Sequence, residues 1–418
     1  MAWAQPFRVS PVHWQIRFAV DGLGNLTFNG HLMKYHTHPL NESHDPCRTA
    51  LNFFPARPAT GFPNAMKRWA ATKWSALAAV ALSTGVAQGA AYIWTGASNG
   101  NWDNGLNYSG GVAHPNDSSG DYLDFAAKGA GANNNMALEG DRRTGGIAIR
   151  DSWQININGR TLRADWVSVD YAVGNGTGII TGGGNFQSYN SFSWNAAPGD
   201  TLIVNSYYKP VGSNNRNNSF NDGGTIITNN SIDHDNKVMN YSVTGTTTVI
   251  NNHWWASSSS GSITVASGAR YAGDGSTNVA TTTIDGTVSP SDGGNADSGI
   301  GTLSFGTTLT LNGTFDFDLN TLGNSDRIAA AALILGSGST LTFDTLSSFT
   351  PNATYKIATY SSLSGVFGTL NLPSGWLVDY DGDLANPNSI LLTTVPEPCC
   401  LSLLGLVSVG LVARRRRM

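Results

Sequence analysis

The sequence predicts an all-β protein built as a parallel β-solenoid, with a β-sandwich as the alternative, and a C-terminal transmembrane helix appended to it. Three observations carry this reading. Thr308-Leu309-Thr310-Leu311 and Phe315-Asp316-Phe317-Asp318-Leu319 alternate polar and apolar residues, the period of a half-buried strand. Leu309-Thr310-Leu311 is echoed by Leu333-Ile334-Leu335, and Phe315-Asp316-Phe317 is echoed at a similar offset by Leu341-Thr342-Phe343. A period of this size, roughly 25 residues, suits one coil of a solenoid or one hairpin pair of a sandwich. Finally, an apolar run from Cys399 to Ala413 closes on four arginines.

Residues 1 to 65 differ in composition from all that follows. They hold five of the eight histidines (His13, His31, His36, His38 and His44) and many prolines. Met66-Lys67-Arg68 then opens a basic stretch that includes Lys73, and Ser75 to Leu82 is small and apolar. The small residues around Ala87, Gly89, Ala90 and Ala91 complete the layout of a secretory signal peptide over 66–91. This implies handling by an export translocon and a signal peptidase. Translation is expected to begin at Met66, leaving residues 1 to 65 outside the exported protein; a disordered extension is the rival reading.

The solenoid is expected over 92–394. From Ala91 to Thr394 there is no cysteine, so neither a disulfide framework nor a thiolate metal site is available. The same stretch carries 12 Lys and Arg against 24 Asp and Glu, a balance of −12, whereas the whole chain is only −4. An acidic surface of this kind argues against nucleic acid. Eighteen asparagines fall between Asp151 and Asn252, enough to build side-chain ladders at stacked turns, although asparagine is also an ordinary loop residue. The one helical candidate, Arg327 to Leu335, reads equally well as a strand.

Chemistry-bearing constellations are sparse. Asp379-Tyr380-Asp381-Gly382-Asp383 has the alternating acids of a calcium loop, with Asp379, Asp381 and Asp383 as candidate ligands. The glycine comes too early, however, and Ile390 stands where the bidentate glutamate belongs. A polar turn between strands Trp376 to Asp379 and Ser389 to Thr393 explains the residues better. Asp233-His234-Asp235 lacks further ligands at a useful spacing. Neighbours on a strand face opposite ways, so at most one of Trp254 and Trp255 is free to stack on a sugar. No residue reads as catalytic, and no cofactor motif is evident.

The tail, 395–418, joins three unlike parts: Val395-Pro396-Glu397-Pro398, the apolar run over 399–413, and Arg414 to Arg417. The two prolines keep the backbone extended. The run is 15 residues, against about 20 for a spanning helix, and the arginines favour the cytoplasmic side. In this order the parts resemble the PEP-CTERM sorting signal of bacterial surface proteins. The resemblance implies an exosortase as partner, with Val395, Pro396, Glu397, Pro398, Arg414, Arg415, Arg416 and Arg417 as the recognised residues. It further implies transient residence in the inner membrane and release to the cell surface or matrix.

A second resemblance begins at Trp94-Thr95-Gly96, continues through Asn101-Trp102-Asp103, and ends at Asn107-Tyr108-Ser109-Gly110-Gly111. These blocks look like the opening of autotransporter-associated β-strand repeat proteins, with Tyr108 where that family has Trp. Gly301 to Thr394, with Tyr355-Lys356-Ile357 and Gly365-Val366-Phe367, is similar to their C-terminal part. The resemblance implies a right-handed parallel β-helix of the passenger type without catalytic residues. The expected role is structural or adhesive, in a biofilm-like polysaccharide layer with extracellular polysaccharide as partner. The alternative is a glycan-binding or glycan-cleaving β-helix, marked by a groove and a carboxylate pair on one coil face.

Overall fold

The computed structural model describes the backbone of residues 17–20 and 26–29, and residues 89–394 except 119, 128–131, 172–174, 212–214, 234–236, 257–259, 292–298, 321–322 and 346–352. The chain divides into two units, Met1–Leu82 and Ser83–Met418. In the first, Arg17–Val20 and Leu26–Asn29 pair antiparallel, Arg17 opposite Asn29.

The second unit is a parallel β-solenoid. Two long sheets of sixteen and eleven strands, with a short one of four, stack successive coils of the chain. In the early coils each turn contributes three strands. Trp166–Val169, Thr177–Thr181 and Asn185–Gln187 make one coil, and Phe192–Ala196, Thr201–Val204 and Tyr207–Tyr208 lie on it in parallel register. Further on, Thr302–Leu311 spans two former faces in one ten-residue strand, with a register shift between Phe305 and Thr308. Parallel pairing of strands distant in sequence excludes the sandwich, whose strands run antiparallel.

The sequence echo is the coil register itself. Leu309 pairs with Leu333, and Phe315 and Phe317 pair with Leu341 and Phe343. Leu309, Leu311, Phe315, Phe317 and Leu341 are buried, and Phe343 packs against the core half-buried. Arg327–Leu335 is a strand, not a helix. Inside the coils, rings continue from rung to rung. Trp194 stacks on Phe220 at 6.0 Å, and Phe220 on Trp255 at 5.5 Å, both within 13° of parallel.

The asparagines make the expected ladders. Asn229 Nδ2 donates to Asn205 Oδ1 and Asn252 Nδ2 to Asn229 Oδ1, both at 2.9 Å, one link per coil. At the first coil, Trp94 meets Tyr108 edge-to-face at 5.1 Å, the Tyr108 hydroxyl donates to Trp102 O, and Trp102 Nε1 donates to His114 O. Asn107, fully buried, accepts from the Ser98 and Asn99 amides and donates to Asn99 Oδ1 and Asn101 O. The Trp, Asn and Tyr blocks of the opening segment thus close the end of the core. At the other end, Ser389–Thr394 runs antiparallel to both Thr354–Ser364 and Trp376–Asp379 and ends the parallel stacking.

The expected fold class requires one correction. Among the described residues no helix is long and apolar enough to cross a membrane, and the only helical element is the 3-10 turn Gly105–Asn107. The fold of the described residues is therefore all-β, and the appended transmembrane helix is not part of it. The run in which it is expected has 15 residues, against the roughly 20 that a span requires. The segment 399–413 itself lies outside the described residues.

Candidate functional site

Ala87 and all of Val395, Pro396, Glu397, Pro398 and Arg414 to Arg417 lie outside the described residues. Gly89 and Ala90 precede the first solenoid strand, Ala91–Trp94, and the Ala90 amide donates to Asp121 Oδ1 at 2.8 Å. In the acidic loop, Asp379 Oδ1 accepts from the Asp381 amide, and Asp383 Oδ1 accepts from the amides of Ala385 and Asn386. Gly382 sits at φ +69°. These carboxylates hold the turn between the two last strands, and no group of three or more His, Cys, Asp or Glu is placed to hold a metal among the described residues. Asp233 accepts from the Tyr207 hydroxyl at 2.6 Å, while His234 and Asp235 lie outside the described residues. Trp255 is fully buried and Trp254 is 44% exposed, so the pair splits between core and surface.

Gly96-Ala97-Ser98-Asn99-Gly100 spells the Gly-x-Ser-x-Gly pattern of a nucleophile elbow. Here it is a bend in the end cap. The Ser98 amide donates to Asn107 Oδ1 and Ser98 Oγ accepts from Asn104 Nδ2, and only the 3-10 turn Gly105–Asn107 follows, with no α-helix. The strand–turn–helix that would expose a nucleophile is absent.

The candidate site is a cleft of about 690 Å3 on the outer face of the sixteen-stranded sheet. Sheet register builds it. Tyr122 lies beside Gly146 and, on the next rung, Ile147 lies beside Val167, which puts Trp166 beside Gly146. Two rungs apart, two side chains should be separated by about 9.5 Å. The rings of Tyr122 and Trp166 instead close to 5.7 Å, tilted at 44°. Gly146 permits this, because a Cβ there would lie 1.8 Å from Trp166 Cε2. Both aromatic residues remain partly exposed.

Ser168, Ser193 and Asn195 continue the lining, and carboxylates stand at both ends of the strands. Asp165 precedes Trp166 and accepts from Asn190 Nδ2 at 3.0 Å. Asp170 and Asp222 follow their strands, and among the described residues neither accepts a hydrogen bond or pairs with a cation. Asp222 is exposed as a residue, and partial desolvation of its carboxyl, with the charge of Asp170 second, raises its pKa above the ordinary aspartate value. Asp222 also holds φ +77°, a left-handed conformation that Asp and Asn tolerate better than most residues. The cleft's arginine, Arg150, is committed to Asp124, with Nε 2.9 and 3.1 Å from its two carboxylate oxygens.

A second cleft, of about 580 Å3, includes Asp274, Thr302, Arg327 and Lys356. The neighbouring Asp326 is fully buried and accepts from the Gly301 and Asp318 amides at 2.8 and 3.1 Å. Burial outweighs these bonds and pushes its carboxyl up to about 7.

No local motif announces the first cleft, whose residues are spread from Tyr122 to Asp222. The only sequence signal is that Tyr122, Gly146 and Trp166 follow one another at near-coil intervals. No family model matches the chain, and no curated protein matches it significantly.

Proposed function

We propose that this protein is an exported surface or matrix component that adheres to polysaccharide through the Tyr122–Trp166 cleft, with the solenoid as its rigid scaffold. The carrying observation is the aromatic pair drawn together over Gly146 on an otherwise small, polar face. Exposed aromatic rings stack on the apolar faces of sugar rings, while the neighbouring Ser, Asn and Asp side chains are hydrogen-bonding partners for hydroxyls. The export and sorting signals read from 66–91 and 395–418 support an extracellular setting, reached by way of the inner membrane and an exosortase. Affinity electrophoresis of the purified protein in gels containing different polysaccharides tests the reading. Retardation by at least one polymer, abolished in Trp166→Ala, is expected. Migration unchanged in every polymer, or retardation that Trp166→Ala leaves intact, overturns it.

A second reading, glycan cleavage, draws on one specific observation. Asp170 and Asp222 line one cleft from strand ends two rungs apart, one with a raised pKa, and paired carboxyls of unequal acidity are the machinery of glycoside hydrolysis. Release of reducing ends from a retained polymer, lost in Asp222→Asn, would favour that reading over adhesion alone.

A further inference from the structure

Resting on the polysaccharide-binding reading, we infer that the cleft selects amine-bearing, cationic glycans, such as polymers of glucosamine with free amino groups, over N-acetylated and uronate-bearing ones. The argument is one of uncompensated charge. Three carboxylates, Asp165, Asp170 and Asp222, line the cleft, and its arginine is spent on Asp124. Asp165 receives one neutral amide donor, and Asp170 and Asp222 receive none among the described residues.

Asp170 and Asp222 follow strands two rungs apart in one sheet and line the same cleft, so their like charges repel and a cation between them relieves that repulsion. A sugar ammonium fits the need. It carries a full charge and three N–H donors, and it sits on a ring whose apolar face stacks on Tyr122 and Trp166. An N-acetylated sugar brings one neutral N–H to the same place. A uronate brings a fourth negative charge. The stretch 91–394 carries a balance of −12, which adds long-range attraction of the same sign.

Calorimetric titration of the purified protein with three hexamers tests this: β-1,4-glucosamine, its fully N-acetylated counterpart and galacturonic acid. The amine hexamer should bind at least about tenfold more tightly than the N-acetylated one, a difference near 1.4 kcal/mol, and the uronate should not bind. In an Asp170→Asn/Asp222→Asn double variant the preference should vanish while N-acetylated binding persists. Asparagine keeps the shape of aspartate and tolerates the left-handed backbone at 222. A control variant, Asp379→Asn/Asp381→Asn, removes two charges from the C-terminal turn and should leave the preference intact.

Equal or tighter binding of the N-acetylated hexamer overturns the inference and leaves polysaccharide binding standing. An equal loss in the control variant also overturns it, because the attraction then belongs to the whole surface. If none of the hexamers binds and the gels show no retardation, both readings fall together.

Discussion

Tyr122 and Trp166 occupy alternate rungs of one sheet, yet their rings meet at 5.7 Å over the bare backbone of Gly146. A side chain at 146 is incompatible with this contact, because its Cβ would lie 1.8 Å from Trp166 Cε2. The obstructing atoms belong to a side chain, so the indole can swing outward while the strand stays paired. Gly146→Val is therefore expected to fold at a cost of about 1–3 kcal/mol, to shift tryptophan emission to the red, and to lose polysaccharide retardation. Unchanged emission and retardation in a folded Gly146→Val protein would show that the contact does not shape the cleft.

Phe317 tests the inner face. It is 1% exposed and contacts Phe315 and Phe343 at ring separations of 5.4 and 5.7 Å. Truncation leaves a cavity between coils that the rigid parallel ladder cannot close. Phe317→Ala should destabilise by about 3–5 kcal/mol in urea unfolding, whereas Phe343→Ala, at a half-buried site, should cost less. Equal costs would contradict the burial difference between the two rungs.

The inner face was legible because its information is local. Thr308-Leu309-Thr310-Leu311 alternates, and the coils that set Leu309 beside Leu333 and Phe315 beside Leu341 are close enough in length for the repeat to be seen. Elsewhere coil length varies. The coil between the paired residues Arg270 and Thr287 is much shorter than the one between Thr340 and Thr369, so a fixed period fades. The cleft was not legible for a related reason. Its outward residues satisfy no core pattern, and only register brings Tyr122, Trp166, Asp170 and Asp222 onto one face. The Asp379–Asp383 loop shows the converse case: acids adjacent in sequence use their oxygens on neighbouring amides to shape a turn.

The asparagine ladder should be cooperative but individually modest. Asn229 donates to Asn205 and accepts from Asn252, and it is exposed to solvent. Water replaces much of what is lost, so Asn229→Ala should cost roughly 1 kcal/mol with an unchanged urea slope. Asn205→Ala and Asn252→Ala each break one of these links and should cost about half as much. A loss several times larger for Asn229→Ala would mean that the ladder holds the coils together rather than trimming their edge.

Asp326 predicts an unusual pH dependence. Its carboxyl is raised from 3.8 to about 7 in the folded protein, burial being the main cause. Between those values the folded state holds a proton that the unfolded state has released, so stability falls as pH rises through that window and levels off above it. Each pH unit in the window is worth about 1.4 kcal/mol at most. The wild type should therefore melt higher near pH 5 than near pH 8 relative to Asp326→Asn, whose amide cannot ionise. Parallel melting curves for the two proteins across that range would remove the assignment.

The sorting prediction concerns Glu397, the one charged side chain between Val395 and Ala413. The prolines on both sides of it predict an extended backbone there. On the proposed sorting reading the apolar run directs the tail to the membrane, and Arg414 to Arg417 favour the cytoplasmic side. If the proposed exosortase reading holds, processing needs both features, so Glu397→Ala and replacement of Arg414 to Arg417 by glutamine should each leave an uncleaved, membrane-associated precursor on blots of fractionated cells. Normal release of both variants defeats the exosortase reading. Normal release of the wild type from a strain lacking the exosortase defeats it equally, because another enzyme would then be cutting an ordinary anchor.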